Sequence, residues 1–511
     1  MSLLSGVKLS SVNEDILSKL VCRTSCSSDV IRDFWKVLIA CFNTPRPSTN
    51  YDGVNKEERT FAFRTLMRAI CTNGSLTYRE DGAGNIIISN FSESSNKKAE
   101  YCFQGHMDVV VSKNESEVHD FDTQGVDVCI TEQNTVKPLK GITLGADNGV
   151  AIACGISILV HNKRNHRLEL LITKNEETTF EGALEFDPTT VTAEYILNLD
   201  SEVEHAICVG SAGGFEQHFH LPVSRSAIDS HSSVYQLKIK DLKGGHSGCD
   251  IEKEKANSIL AMSRILLVDG GVRIISICGG TSTNAIPREC TAIVVCSEDQ
   301  LEQIRNNFDN FKSEFSDTEP SVILQIEKAN VSANPITLQD SQKLLGLVFA
   351  IGTGVVRRRL CSGDVESSYN LGVVFSDAES VDLKCLARST SVSWMKNFAK
   401  QLTAIGSLAG ARMREYVGPF GAWEPDFNSD IVARLKNCRP LKDVPVKLYT
   451  VHAGLECSTI LERFAEIGRT SVQCASIGPL IEHAHSPDEC LHIDSAEDFV
   501  QWVDSLVNYR D

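Results

Sequence analysis

Three short apolar runs in the first two hundred residues each stop at an acid or an imidazole. Tyr101-Cys102-Phe103 leads through Gln104-Gly105 into His106; Leu168 to Thr173, aliphatic and β-branched apart from Glu169, leads through Lys174-Asn175 into Glu176; Tyr195 to Leu199 ends at Asp200. Short apolar runs bounded in this way read as buried strands. In open α/β sheets the crevice that takes ligands lies at the carboxyl ends of the strands, so three endings of this kind imply one shared site. The expected frame is an α/β domain with a mostly parallel sheet flanked by helices.

A fourth segment breaks the pattern. Leu144-Gly145-Ala146-Asp147-Asn148-Gly149 passes into Val150 to Leu159, which is apolar nearly all round and reads as a buried helix with Asp147 at its mouth. Taken singly, Asp147 is a helix N-cap, His106 a hydrogen-bonded core imidazole, and Glu176-Glu177 a solvated pair. All three ordinary explanations would have to hold together, directly after runs that look buried. Zinc accepts imidazole nitrogen and carboxylate oxygen, and two ions about 3.5 to 4 Å apart need one carboxylate that bridges them. One imidazole and one terminal carboxylate per ion, plus a bridging Asp, makes five donors, and His106, Asp147, Glu177, Asp200 and His485 supply them. Asp108, two residues past His106, can accept the other imidazole N–H and fix the ring. Glu176, beside a ligand but free, is the candidate general base for a metal-bridging water.

These residues carry a family resemblance. Gln104-Gly105-His106-Met107-Asp108, Leu144 to Gly149, Glu176-Glu177, Leu199-Asp200-Ser201-Glu202 and His485-Ser486-Pro487-Asp488-Glu489 resemble the successive motifs of the co-catalytic zinc aminoacyl-histidine dipeptidases. Further likeness runs through Gly244 to Gly248, Gly279-Gly280-Thr281, Asn284 to Glu289, Cys385 to Ser389 and His452 to Cys457, covering the chain from about Arg46 onward. The resemblance implies hydrolysis of dipeptides, Xaa-His such as carnosine and others. It also implies two divalent ions per subunit, zinc first, with manganese or cobalt as alternatives. His106 and Asp200 would be terminal ligands of one ion, Glu177 and His485 of the other, and Asp147 the bridge. Glu176 becomes the base and Asp108 the orienting acid. His246 matches the imidazole that stabilises the oxyanion, and Asn284, Arg388 and the Gly454 backbone match positions holding the C-terminal part of the substrate. An Arg fork suits a dipeptide's free carboxylate independently of any likeness.

His485 lies 285 residues after Asp200, so a whole domain is inserted between donors of one site. Strand-then-helix units recur there: Val234 to Leu242 before Ser258 to Leu267, Ala292 to Cys296 before Gln300 to Phe315, and Gly372 to Arg388 before Val392 to Leu408. They suit an α+β lid with an antiparallel sheet. The expected division is residues 1–222 and 414–511 for the catalytic domain and 223–413 for the lid, whose closure would bring His246 to the substrate. The resemblance suggests a homodimer through the lid.

Composition narrows the partners. A net charge of −17 over 511 residues argues against nucleic acid. No apolar run reaches membrane-spanning length, and Glu14 and Asp15 fall where a signal peptide would be apolar, so the expected address is the cytoplasm. The 18 cysteines are scattered, several within apolar runs, and read as reduced thiols; Cys22 and Cys26 are too isolated for a zinc site. Residues up to about Ser28 match nothing in the family pattern, and Arg357-Arg358-Arg359 reads as a solvated loop. Two alternatives stay open: another amide hydrolase built on the same site, such as a tripeptidase or N-acyl amino acid deacylase, and a non-catalytic metal-binding interaction protein.

Overall fold

A computed structural model describes residues 3–509 apart from 24–27, 93–97, 163–165, 229–232, 332, 361 and 442, with the backbone alone at 414–420. Two compact units emerge. The first comprises the chain up to Val209, Pro425–Tyr449 and the residues from Glu456 onward; the second is Gly210–Glu424 with Thr450–Leu455.

The first unit is built on an eight-stranded sheet whose order is Thr77–Glu80, Ile86–Ser89, Leu168–Thr173, Tyr101–His106, Tyr195–Asn198, Gln473–Ser476, Ala206–Ser211 and Lys447–Val451. Only the central four strands run parallel; the flanking pairs Ile86–Ser89 with Leu168–Thr173, and Gln473–Ser476 with Ala206–Ser211, are antiparallel. The parallel strands are buried on both faces, as their unbroken apolar runs require. Their register sets His106 opposite Thr173 and Gln104 opposite Asn198. The three expected strands therefore end along one edge.

The helix Ala146–His161 is buried over nearly its whole length against this sheet and against the helix Asp29–Phe42. Gly105 permits the close approach: a Cβ there would stand 2.1 Å from Asn148 Oδ1 and 2.4 Å from Ala151 Cβ. The N-terminal stretch supplies a helix, Ser11–Val21, capped by Ser10, with Ile16 and Leu20 in the core; Asn13 bonds the backbone of Val126 and Val128. It is an integral part of this unit, with Cys26 outside the described residues.

The second unit carries an antiparallel nine-stranded sheet with the helices Ser258–Ile265, Glu298–Glu314, Leu338–Ile351 and Val392–Ala409. Its bounds differ from those expected at 223 and 413. The strand Gly213–Pro222 pairs along its whole length with Ser380–Ser389 and on its other side with Arg412–Phe420, so hydrogen bonding draws both ends into this sheet. Nor is the arginine run a loop: Arg357 and Arg358 close the strand Gly354–Arg358 and pair with Glu366 at 3.2 Å and Glu252 at 3.1 Å. All described cysteines are free thiols.

Candidate metal centre

His106 ends its strand with the ring 1% exposed, and its Nε2 faces Asp147 Oδ1 at 3.0 Å and Asp200 Oδ1 at 3.4 Å. The other Asp147 oxygen, Oδ2, faces His485 Nε2 at 3.0 Å, and His485 Nε2 also lies 3.0 Å from Glu177 Oε2. One carboxylate thus turns a separate oxygen to each of two imidazole and carboxylate pairs. Asp147 is no N-cap: at Asp147 and Asn148 the backbone leaves helical geometry, and no side chain caps the helix.

The loops are held by hydrogen bonds with buried polar side chains. Glu489 accepts the N–H groups of Leu144 at 2.8 Å, Gly145 at 2.9 Å and Asp147 at 3.2 Å. Buried Arg46 donates to the carbonyls of Met107, at 2.9 Å, and Gly145. Asn148 accepts the His106 N–H at 3.3 Å and donates to the Leu199 carbonyl at 3.1 Å, tying the segments of His106, Asp147 and Asp200 together. Glu176 and Glu177 open a single helical turn entered through Asn175 at φ 55°, a left-handed conformation that Asn tolerates. His485 itself sits at φ 63° on the loop between the short strands Ile481–Glu482 and Cys490–His492. Non-glycine residues held there cost about 1–2 kcal/mol and gather at functional sites.

Asp108 differs from expectation in one respect. His106 Nδ1 lies 3.1 Å from the Asp108 carbonyl and 3.7 Å from its carboxylate, so the ring N–H goes to the carbonyl. The carboxylate is engaged elsewhere, accepting Ser48 Oγ at 2.7 Å and the N–H groups of Glu176 at 3.1 Å and Glu177 at 3.3 Å. It still ties the histidine segment to the two glutamates.

The electrostatics are those of a site short of positive charge. Burial, with Asp147 adding to it, pushes Glu177 up to about 7, and burial with the neighbouring acids lifts Glu176 well above the carboxylate range. Burial opposes a charge on His106, yet Asp200, Asp108 and Asp147 outweigh it and raise the imidazole well above its ordinary value. Hydrogen bonds from His106 and His485 overcome burial at Asp147 and hold it low. Divalent cations would relieve this repulsion, and the donor set fits them: His106, Asp147 and Glu177 bring donor atoms within 4.8 Å of one another, as do Asp147, Glu202 and His485.

A second cluster lies within the inserted unit. His246, on the two-residue strand Gly245–His246, accepts the N–H groups of Gly248 at 3.2 Å and Cys249 at 3.1 Å on Nδ1. Its Nε2 stands 3.4 Å from Arg388 Nη2, and Arg388 Nε is 3.4 Å from Ser247 Oγ. Arg388 is 5% exposed, and burial lowers its guanidinium to about 10. His452 Nε2 meets Ser368 Oγ at 2.7 Å, and burial beside Arg388 pushes that imidazole down to about 3. Gly248 is wedged in this cluster: a Cβ would stand 2.2 Å from the His452 carbonyl. Asn284 is exposed and takes part through its backbone, accepting the Ser247 N–H at 2.7 Å, while its side chain accepts Ser282 Oγ. Gly454 lies in the Thr450–Leu455 segment of the same unit.

No family model matches the chain. It is 32% identical over 427 residues to the cytosol non-specific dipeptidase of Escherichia coli (strain K12), across 81% of this chain and 86% of that protein. The chain belongs to the cytosol non-specific dipeptidase family. The crystal structure of aminoacylhistidine dipeptidase from Vibrio alginolyticus matches 95% of this chain and 99% of that one, with a TM-score of 0.78 and 28% identity. A tripeptidase from Staphylococcus aureus, at 14% identity and a TM-score of 0.51 over 93% of this chain and 97% of that one, shares the fold.

Several site residues give little signal in the sequence. Glu202, Glu489 and His452 lie inside the family-like motifs without a role that the resemblance assigns, and Arg46 stands only where the likeness starts. Glu202 alone carried a usable signal, sharing the segment of Asp200. Glu489 and Arg46 act on backbone groups hundreds of residues or a loop away, which no spacing rule reports.

Proposed function

We propose that the chain is a dinuclear metal-dependent dipeptidase that cleaves Xaa-His and other dipeptides, with zinc as its resident ion. The observation that carries this reading is Asp147, whose two oxygens face His106 and His485 at 3.0 Å each. In this reading His106 and Asp200 would hold one ion, Glu177 and His485 the other, and Asp147 would serve both. Bound there, the ions supply Lewis acidity toward the scissile carbonyl and a lowered pKa for the attacking water.

The remaining work belongs to the protein. Glu176, 3.9 Å from His106 Nε2, takes the proton from the attacking water and returns it to the leaving amine. Asp108 positions Glu176 and Glu177 by accepting their N–H groups. Arg388 receives the substrate carboxylate in a bidentate grip, with Asn284 and the Gly454 backbone holding the C-terminal part. His246 stabilises the developing oxyanion, a role for which backbone N–H groups on its Nδ1 leave Nε2 as the presenting atom. The assembly is a homodimer in the cytosol, the compartment named for the Escherichia coli relative. Among the described residues no helix is long and apolar enough to cross a membrane.

The test is release of free amino acids from Xaa-His dipeptides, other dipeptides, tripeptides and N-acetyl amino acids, with zinc or manganese and a chelator control. Chelator-sensitive cleavage confined to dipeptides is expected. Cleavage of tripeptides or acyl amino acids alone would move the activity to a different amide hydrolase, and two bound ions with no cleavage would leave a binding protein.

A further inference from the structure

The loop that presents His485 and Glu489 is closed at its base by a hairpin of Ile481–Glu482 against Cys490–His492, in which Glu482 stands opposite Cys490. His492, two residues after Cys490, projects from the same face. His492 Nε2 lies 2.7 Å from Glu482 Oε2, and Cys490 Sγ lies 3.7 Å from the same oxygen. One donor atom from each of the three falls within 4.8 Å of the other two. The thiol is 3% exposed, whereas Glu482 is open to solvent and His492 partly so, giving a firm floor and a way in.

A thiol, an imidazole and a carboxylate converging in this way form a donor mix typical of zinc. Both polar hydrogens directed at Glu482 are ones a cation would replace. We propose that Glu482, Cys490 and His492 form an accessory site for a thiophilic divalent cation of the zinc class, separate from the dinuclear centre, and that its occupancy clamps the hairpin carrying His485. Binding converts the Cys490 thiol to a metal thiolate and releases one proton to solvent, with no change in oxidation state. Three protein donors leave one tetrahedral position for water. Burial opposes ionisation of this thiol, while nearby Lys137 favours it. The clamp rests on the proposed role of His485; the site itself does not.

Cobalt(II) added to the metal-free full-length protein separates the two centres, because the proposed dinuclear ligands contain no sulfur. A near-ultraviolet thiolate-to-cobalt charge-transfer band is expected from the parent. Cys490→Ser should abolish it, and His492→Asn should weaken the affinity behind it by more than the roughly 10–100-fold typical of losing an outer-shell partner. With zinc in place of cobalt, the dinuclear centre alone holds His485 in both proteins, so amide exchange across residues 483–489 should slow in each, and slow further in the parent than in Cys490→Ser. An absent band, or one that survives Cys490→Ser, overturns the site; a band with equal slowing of exchange in parent and Cys490→Ser overturns the clamp. Failure of dipeptide cleavage would leave the band untouched and would count only against the proposed hydrolysis.

Discussion

Glu176 is set back from His106, at 3.9 Å, where Asp147 comes to 3.0 Å of each imidazole. A carboxylate in that position serves proton transfer better than metal retention. Glu176→Gln should therefore keep both ions, as measured by elemental analysis of the dialysed protein, while kcat for a dipeptide falls by roughly 10²–10⁴-fold. Loss of an ion would return Glu176 to the ligand set. A different acid is governed first by burial, with His106 opposing and Asp200 and Asp108 adding to it. Glu456 is fully buried, accepts Gln104 Nε2 and Thr173 Oγ1 at 2.6 Å on one oxygen, and has no partner on the other. Burial pushes it up to about 8 from an ordinary value of 4.5. The folded protein thus holds a proton that the unfolded chain has released between those values, so this group's stabilisation is complete below pH 4.5 and drains away as pH rises toward 8. Glu456→Gln keeps the shape without the titration, so its melting temperature relative to the parent should rise between pH 5 and pH 8.5. A constant difference would show that Glu456 does not titrate there. The residue scale is also where sequence is least informative. His106, Glu176 and Asp200 stand out because they end apolar runs, whereas Glu456 follows no such run and is indistinguishable from a surface acid until its neighbours are known.

The central strands and the helix Ala146–His161 were legible because burial on both faces demands unbroken apolar runs, and these are visible without a structure. Strand direction at the sheet's edges was not: Ile86–Ser89 is as apolar as its parallel neighbours, and only its short connection from Thr77–Glu80 and its pairing with Leu168–Thr173 make it antiparallel. The break in the helix at Asp147 was equally hidden, since a capping Asp and an Asp turned out toward two imidazoles share one sequence. What allows the break is the closeness of strand and helix at Gly105. Gly105→Ala forces its Cβ against Asn148 Oδ1 and Ala151, both short side chains with little room to yield. Overpacking of this kind costs about 1–3 kcal/mol, and here it displaces the residue that positions both His106 and Leu199. The expected outcome is a lower melting temperature together with weakened metal binding by calorimetric titration, where Gly410→Ala, which meets nothing within 4 Å, should leave metal binding unchanged. Equal metal affinity in the Gly105 variant would detach the helix approach from the geometry of the centre.

At the scale of the molecule, the long separation of Asp200 and His485 announced an insertion, but composition could not place its ends. Strand pairing places them: Gly213–Pro222 brings the chain in and Arg412–Phe420 takes it out, as hydrogen-bonded antiparallel neighbours with His220 opposite Arg412. An insert whose ends leave side by side closes no long loop and needs no help from the rest of the chain to bring them together. Its core is its own, running from Phe215 and Phe219 through Ile259, Ile304 and Leu344 to Phe398 and Leu402. A fragment of residues 210–424 should therefore fold when produced alone, with a cooperative thermal transition and native-like dispersion of its amide resonances. It lacks Thr450–Leu455, and with it the bond between Ala212 N and the Val451 carbonyl and the contact of His452 with Ser368, so it should melt below the intact protein. Holding none of His106, Asp147, Glu177, Asp200 and His485, it should bind zinc without the high-affinity pair of sites. A fragment that stays unfolded would mean that the inserted sheet depends on the segment from Thr450 to Leu455.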